Sequence, residues 1–289
     1  MAKEPSANFV LHAKSNQYHW EGSGQLSIKT FSNGKALYKT NKGFFAVEEN
    51  RYLLLNEGEY TISIDQQEEV ESFCIFFKDG FAGEVLRGMS ASSYALLSDP
   101  FKESDSVGFF EKTYTATSSL STQLSAFKVN LAILKEDPLG QEEQFHGLMQ
   151  SLLYSQMETL KEIESLNAVR SSTREELYRR ISIAHDYIRS FYDTAIKLDD
   201  IARISCMSAN HLLRTYTQLY GKSPFQHISE LRVEKAKRLL KNSDLTMTEI
   251  TFELGFTNPV SFSKMFKQHE GLSPNQFRKK VILDKNIIY

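Results

Sequence analysis

Two stretches of this chain resemble each other, and that duplication constrains its fold more than any other feature. The first runs from Leu198 to Ile228 and the second from Met247 to Phe277. Arg214 aligns with Lys264, Tyr216 with Phe266, Gly221 with Gly271, and Ser223-Pro224 with Ser273-Pro274. The alignment slips by one residue between Ile201/Ile250 and Arg214/Lys264. Two related units about fifty residues apart predict a duplicated supersecondary element.

Each unit reads as a helix, a tight turn and a second helix. The leading helix carries Leu198, Ile201 and Ala202 in one copy and Met247, Ile250 and Leu254 in the other. Ser205-Cys206-Met207 and Gly255-Phe256 supply the turns. Ser208 can cap the second helix of the first unit by accepting from a first-turn amide. Asn258 does the same in the second unit, with Pro259 at the first helical position, where no donor is lost. Thr246 and Glu249 have the spacing of a capping box. Leu212, Leu213 and Tyr216 make one apolar stripe, Phe262 and Phe266 the other. The opposite faces carry Asn210, His211, Arg214 and Gln218, and Ser261, Ser263, Lys264 and Lys267. Short polar and cationic groups on a protruding helix suit base edges and phosphates in a major groove.

These residues resemble the AraC/XylS-type transcription regulators. The resemblance rests on Gly255-Phe256-x-Asn258-x-x-Ser261-Phe262-Ser263-Lys264-x-Phe266-Lys267, followed by Gly271-x-Ser273-Pro274-x-x-Phe277-Arg278. Thr251 stands where that family often has alanine, and Cys206 where glycine is usual. The resemblance implies a sequence-specific DNA-binding regulator, more often an activator, with double-stranded promoter DNA and RNA polymerase as partners and a homodimeric state. For base reading, Asn210, His211 and Arg214 are the candidates in the first unit, since Arg suits guanine and Asn adenine. In the second they are Ser263 and Lys264, with Val260 available to a thymine methyl group. Helix-opening amides near Ser208, Thr246 and Asn258 are candidates for gripping phosphates.

The length predicts two domains. We place a first domain at 1–166, a linker at 167–173 and a DNA-binding domain at 174–289. The net charge of −2 hides an asymmetry: residues 174–280 carry an excess of about six positive charges, so the remainder is acidic. Cys74 and Cys206 lie far apart, which argues against a disulfide framework. No apolar run reaches membrane-spanning length, and Met1 to Val10 lack a signal-peptide core. A cytoplasmic location is expected.

From Leu26 to Phe77 the pattern is one of short β runs: Leu26–Phe31, Lys35–Tyr38, Phe44–Val47, Tyr52–Leu55, Tyr60–Ile64 and Phe73–Phe77. Strands at this spacing predict a small antiparallel barrel or sandwich. Arg51 to Phe77 resembles the jelly-roll, cupin-type sensor domain often found ahead of this DNA-binding module. His12 and His19 lack the spacing of a metal site, and we expect no metal, cofactor or catalytic group. Trp20, Tyr18 and Tyr38 can fill core or line a pocket. A strand is expected near Phe109-Phe110, then helices from Leu120 and Glu142. The second has a wide apolar stripe, from Phe145 to Leu160, that fits its own sheet or a partner helix across a two-fold. Another helix is expected from Arg174, and a long one from Ser223-Pro224 to about Lys241. On the long helix Arg232, Lys235, Lys237 and Arg238 read as a solvated face.

The expected fold is therefore α+β in two domains: an antiparallel β-barrel or jelly roll with helices, then an all-α domain with two helix-turn-helix motifs joined by a long helix. Alongside an effector-gated regulator stand two alternatives. One is a regulator without a small-molecule ligand, controlled by dimerisation or a protein partner. The other is a cupin-type enzyme carrying a DNA-binding module.

Overall fold

The computed structural model describes residues 7–99, 102, 106–134, 136–166 and 170–287. The chain divides into two compact units, Met1–Glu175 and Glu176–Tyr289. Of the expected linker, residues 167–169 lie outside the described residues. Helix α5 opens at Ser171, three residues ahead of the expected start at Arg174.

The first unit is built on an antiparallel seven-stranded sheet. Its strands are β1 (Phe9–Gly24), β2 (Ser27–Ser32), β3 (Lys35–Thr40), β4 (Gly43–Glu48), β5 (Arg51–Leu55), β6 (Gly58–Phe76) and β7 (Thr113–Thr115). Its helices are α1 (Phe81–Ser90), α2 (Ser93–Ser98), α3 (Ser118–Leu134) and α4 (Pro138–Glu164). The strand order is β4-β3-β6-β2-β5-β7, with β1 on the other edge of β6. The strands curl into a near-barrel because one face of each buries its own core. Alternation decides which side chain goes where. Leu53 and Leu55 of β5, with Cys74 and Phe76 of β6, join Phe31, Tyr38, Phe45, Val47 and Ile62 on one face. Tyr52, Leu54, Phe73 and Ile75 point the other way and meet Phe81, Phe127, Phe145, Leu148 and Leu152 of the helices.

Two expected strands, at 60–64 and 73–77, prove to be one. β6 is 19 residues long, and β1 pairs with it from Gly58 to Asp65 and again from Val70 to Phe76, with a register shift between Ser15 and Gln17. The polar stretch from Gln66 to Glu69 falls in that register shift, flanked by the pairs Gln17–Asp65 and Ser15–Val70, and its side chains remain largely exposed. Near Phe109-Phe110 the structure has no strand. Both rings are buried in coil, held where Asn56 donates to the carbonyl of Phe109 and accepts from its amide. The short strand follows at β7, where Arg51 of β5 grips Thr113 and Thr115.

His12 and His19 have ordinary partners, Glu71 and Ser63. Glu71 also accepts from Ser32 and from Lys128 of α3, fastening that helix to the sheet. Lys128 first, then His12, hold its carboxyl down at about 2. Tyr38 is core, Trp20 packs against the core's margin, and Tyr18 is 46% exposed.

The second unit is all helix: α5 (Ser171–Phe191), α6 (Leu198–Ile204), α7 (Ala209–Tyr220), α8 (Pro224–Asn242), α9 (Met247–Glu253), α10 (Pro259–Glu270) and α11 (Pro274–Ile287). It holds two separate cores. Ile181, Ala184 and Ile188 of α5 close over Ile201, Leu212, Tyr216 and Ile228. Ile250, Leu254, Phe262 and Phe266 pack on Val233, Ala236 and Leu240 of α8. The long helix α8 thus gives its first half to one core and its second half to the other.

Candidate nucleic-acid interface

The two heads are built by the same local chemistry. In each, the leading helix ends in a left-handed residue, Cys206 at φ 52° and Gly255 at φ 73°. The same pair of backbone bonds closes the turn. Cys206 N and Met207 N donate to Arg203 O and Ala202 O; Gly255 N and Phe256 N donate to Phe252 O and Thr251 O. This is a Schellman-type stop. Thr251 fits where the family often has alanine because its hydroxyl is turned back onto the carbonyl of Met247, at 2.6 Å. After the turn the heads diverge by Thr257, an extra residue before the cap of α10 that accounts for the slip in sequence alignment.

Ser208 accepts from His211 N and Asn258 from Ser261 N, so both reading helices are side-chain capped. Thr246 accepts from Glu249 N while Glu249 accepts from Thr246 N at 2.7 Å, completing a capping box on α9. Ser223 with Gln226 and Ser273 with Gln276 repeat that device at the heads of α8 and α11. The caps occupy the third-residue amides. The amides of Ala209 and Asn210 point out of the end of α7, whereas Pro259 leaves α10 only that of Val260.

Leu212 and Tyr216, like Phe262 and Phe266, are fully buried. That fixes the rotation of α7 and α10 about their axes. Asn210, His211, Arg214 and Gln218 are exposed on α7. On α10, Ser261, Lys264 and Lys267 are exposed, and Val260 is 76% exposed at the tip. Ser263 is only half-buried and sits at the margin of the face. The caps Ser208, Thr246 and Asn258 are exposed. Thr217 and Gln268 are exposed on the same faces and were not singled out from sequence. Helical spacing from Arg214 and Lys264 would have found them. Ser261, Lys264 and Gln268 share one stripe and line a cleft of about 360 Å³.

The supposed solvated face of α8 is not one. Arg232 donates to Tyr192 O at 2.6 Å and Thr194 O at 2.8 Å, and its guanidinium lies 4.6 Å from the centre of the Phe256 ring. Lys235 reaches Asp193 at 2.9 Å and the carbonyl of Glu253 at 2.7 Å. Lys237 pairs with Glu234 and with Glu270 of α10. Only Arg238 of the four is exposed. Backbone carbonyls left over at helix ends and in the 192–194 connection need donors, and these long side chains supply them.

A family model described as a helix-turn-helix domain matches residues 201–280. The Msm operon regulatory protein of Streptococcus mutans is 28% identical over 177 residues, covering 52% of this chain and 63% of that protein. The lactose operon transcription activator of Staphylococcus xylosus is 28% identical over 98 residues, 34% of this chain and 35% of that protein. The chain thus spans less than two thirds of the length of either. Among solved structures, the DNA-binding domain of AdpA in complex with a target DNA matches at 26% identity and a TM-score of 0.34. That match covers 35% of this chain and 91% of that one. Residues 201–280 belong to the AraC family of helix-turn-helix DNA-binding domains.

Proposed function

We propose that the protein is a sequence-specific transcriptional regulator that lays α7 and α10 in successive major grooves of one duplex. The observation that carries this is the pair of helices capped at the third-residue amide, each with its apolar stripe buried and a polar, cationic stripe left outside. Grooves on one face of DNA recur about every 34 Å. Because the two stripes differ, the target is a non-palindromic element with two unlike halves. Asn210, His211 and Arg214 read bases in one groove, and Val260, Ser261 and Lys264 in the other. Gln218 and Lys267 lie further along the helices and meet phosphates, as do the helix-opening amides after Ser208 and Asn258. Thr246, at the head of α9, faces a phosphate in the same way. Activation, with RNA polymerase as the downstream partner, is the output supported by the family resemblance and by the name of the Staphylococcus xylosus relative. Such a protein works in the cytoplasm, and among the described residues no helix is long and apolar enough to cross a membrane.

Selection of bound fragments from random genomic DNA by the purified chain tests this directly. Recovery of one asymmetric motif with two half-elements supports the proposal; recovery of fragments without a shared motif refutes it. On the recovered site Arg214→Ala should weaken binding by about 1–3 kcal/mol and relax base choice at one position. An equal loss on unrelated DNA would instead assign Arg214 to phosphate.

A homodimer accompanies this reading. On α4, Phe145, Leu148, Met149, Leu152 and Leu153 are spent on the sheet. Tyr154, Met157 and Leu160, three residues apart, remain 60%, 50% and 49% exposed. A charge in the middle of that stripe, Met157→Glu, should weaken self-association about tenfold or more in sedimentation velocity. Unchanged association would place the dimer contact elsewhere.

A further inference from the structure

The two heads carry separate cores, and a cleft of about 360 Å³ opens between the first half of α8 and the outer face of α10, beside Ile196 and Phe256. Something besides α8 must therefore hold one head at a fixed angle to the other. The connection from α5 to α6 is in position to do it. Tyr192 belongs to the first core, yet the next residues run against the second head. The α-carbon of Gly255 lies so close that a Cβ there would stand 2.6 Å from the carbonyl carbon and oxygen of Asp193. Arg232 and Lys235, one turn apart on α8, clamp this connection from below. Arg232 takes the carbonyls of Tyr192 and Thr194 and stacks on Phe256; Lys235 takes the Asp193 carboxylate and the end carbonyl of α9 at Glu253.

We infer that this clamp, and not α8 alone, sets the spacing and angle of the two reading helices, with Arg232 and Lys235 as positioning residues. Its atoms come from the first head (Tyr192, Thr194), the shared helix (Arg232, Lys235) and the second head (Glu253, Gly255, Phe256). A helix shared by two small cores can bend and twist between them. A loop bonded to all three parts removes those motions. The consequence for DNA rests on the two-groove reading: joined modules gain affinity only when their geometry permits both to engage.

The geometric claim is tested without DNA. In the full chain, nitroxides on the exposed native Cys206 and on His269→Cys report the distance between the heads, while Cys74 is buried and escapes labelling. With the labelled chain diluted in excess unlabelled chain, so that a dimer adds no cross-chain distance, a single narrow distance distribution is expected, and Arg232→Met or Lys235→Met should broaden it while helical circular dichroism stays intact. The same narrow distribution in both variants would overturn the inference. Should Arg232→Met lose helicity, Lys235→Met and Phe256→Leu decide by the same readout.

The DNA arm uses the selected fragment with one to three base pairs added or removed between half-elements. The unaltered chain should lose affinity steeply with each change. Arg232→Met should bind isolated half-elements as before, bind the correct spacing about tenfold more weakly, and discriminate poorly among spacings. Retained spacing selectivity in that variant would reject the clamp. Indifference to spacing in the unaltered chain would reject the two-groove reading and leave the distance measurement to judge the clamp.

Discussion

Gly255→Ala should unfold the second head at a markedly lower temperature while leaving the first unit unchanged. Two costs fall together. At φ 73° an L-residue is strained, by about 1–2 kcal/mol. The added methyl would also meet the carbonyl carbon and oxygen of Asp193 at 2.6 Å and Thr194 N at 2.9 Å. These are backbone atoms, so no rotamer change relieves the clash. The loop cannot slide away either, because Arg232 and Lys235 hold it on both sides of the contact. Together the costs come to about 3 kcal/mol or more, which lowers the midpoint of a domain this size by on the order of 10 °C. Two probes separate the units. The single tryptophan, Trp20, lies in β1, so its fluorescence follows the first unit alone, whereas far-ultraviolet circular dichroism carries the helices of both units, and its part that does not track the fluorescence is the second unit's. The helical transition should fall and the fluorescence transition should stay. Cys206→Gly is the matched control. It occupies the equivalent turn at φ 52°, and there the change should be neutral or gain up to about 1 kcal/mol, from relief of left-handed strain set against the entropy of glycine. A helical midpoint that Gly255→Ala moves by no more than Cys206→Gly would show that the 193–194 connection is not fixed.

The asymmetry between these turns shows which parts of the structure were legible in the sequence. Caps and stops are short-range. Ser208, Thr246 and Asn258 each bond an amide three residues on, and Gly221 and Gly271 end their helices within one turn. A reader with only the letters can therefore place α7 and α10 and know which stripe faces out. The β-type runs were legible as well, but not their joining. β6 stays continuous through the polar stretch at 66–69, because β1 pairs with it on both sides, up to Asp65 and again from Val70. Arg232 and Lys235 were misread for a related reason. Their partners Tyr192, Asp193 and Thr194 are some forty positions away, and nothing in a helical pattern distinguishes a lysine that faces water from one that takes a distant carbonyl. Periodicity gives burial by element; it does not give long-range polar pairs.

Lys29 is the extreme case of an inward cation, and Lys29→Met should stabilise the first unit at neutral pH. In β2, Ile28 faces the helices, so the next residue faces the barrel core. Lys29 is 1% exposed, with its ammonium 3.1 Å from the Tyr60 hydroxyl and 3.6 Å from the centre of the Phe76 ring. Burial brings its pKa down from 10.5 to about 8. Because the folded value is the lower one, the charged form costs stability below pH 8. As pH rises from about 8 towards 10.5 the unfolded chain holds the proton that the folded chain has released, so stability climbs. The shift bounds the gain at about 3 kcal/mol, and contact with the Phe76 ring, which favours the charge, trims it to about 2. Cys74 opposes the trend: burial raises its thiol above 9.0, so folding is progressively disfavoured once the unfolded thiol ionises. The clean comparison is therefore the difference between Lys29→Met and the unaltered chain, not either curve alone. Followed by Trp20 fluorescence, the variant should melt several degrees higher at pH 7, and the gap should close towards pH 10 as the lysine of the unaltered fold becomes neutral. A methionine of similar length fills the same space and removes only the charge and its bond to Tyr60. If the variant melts lower at pH 7, or if the gap does not change with pH, the ammonium is better solvated by the Tyr60 hydroxyl and the rings than its burial allows.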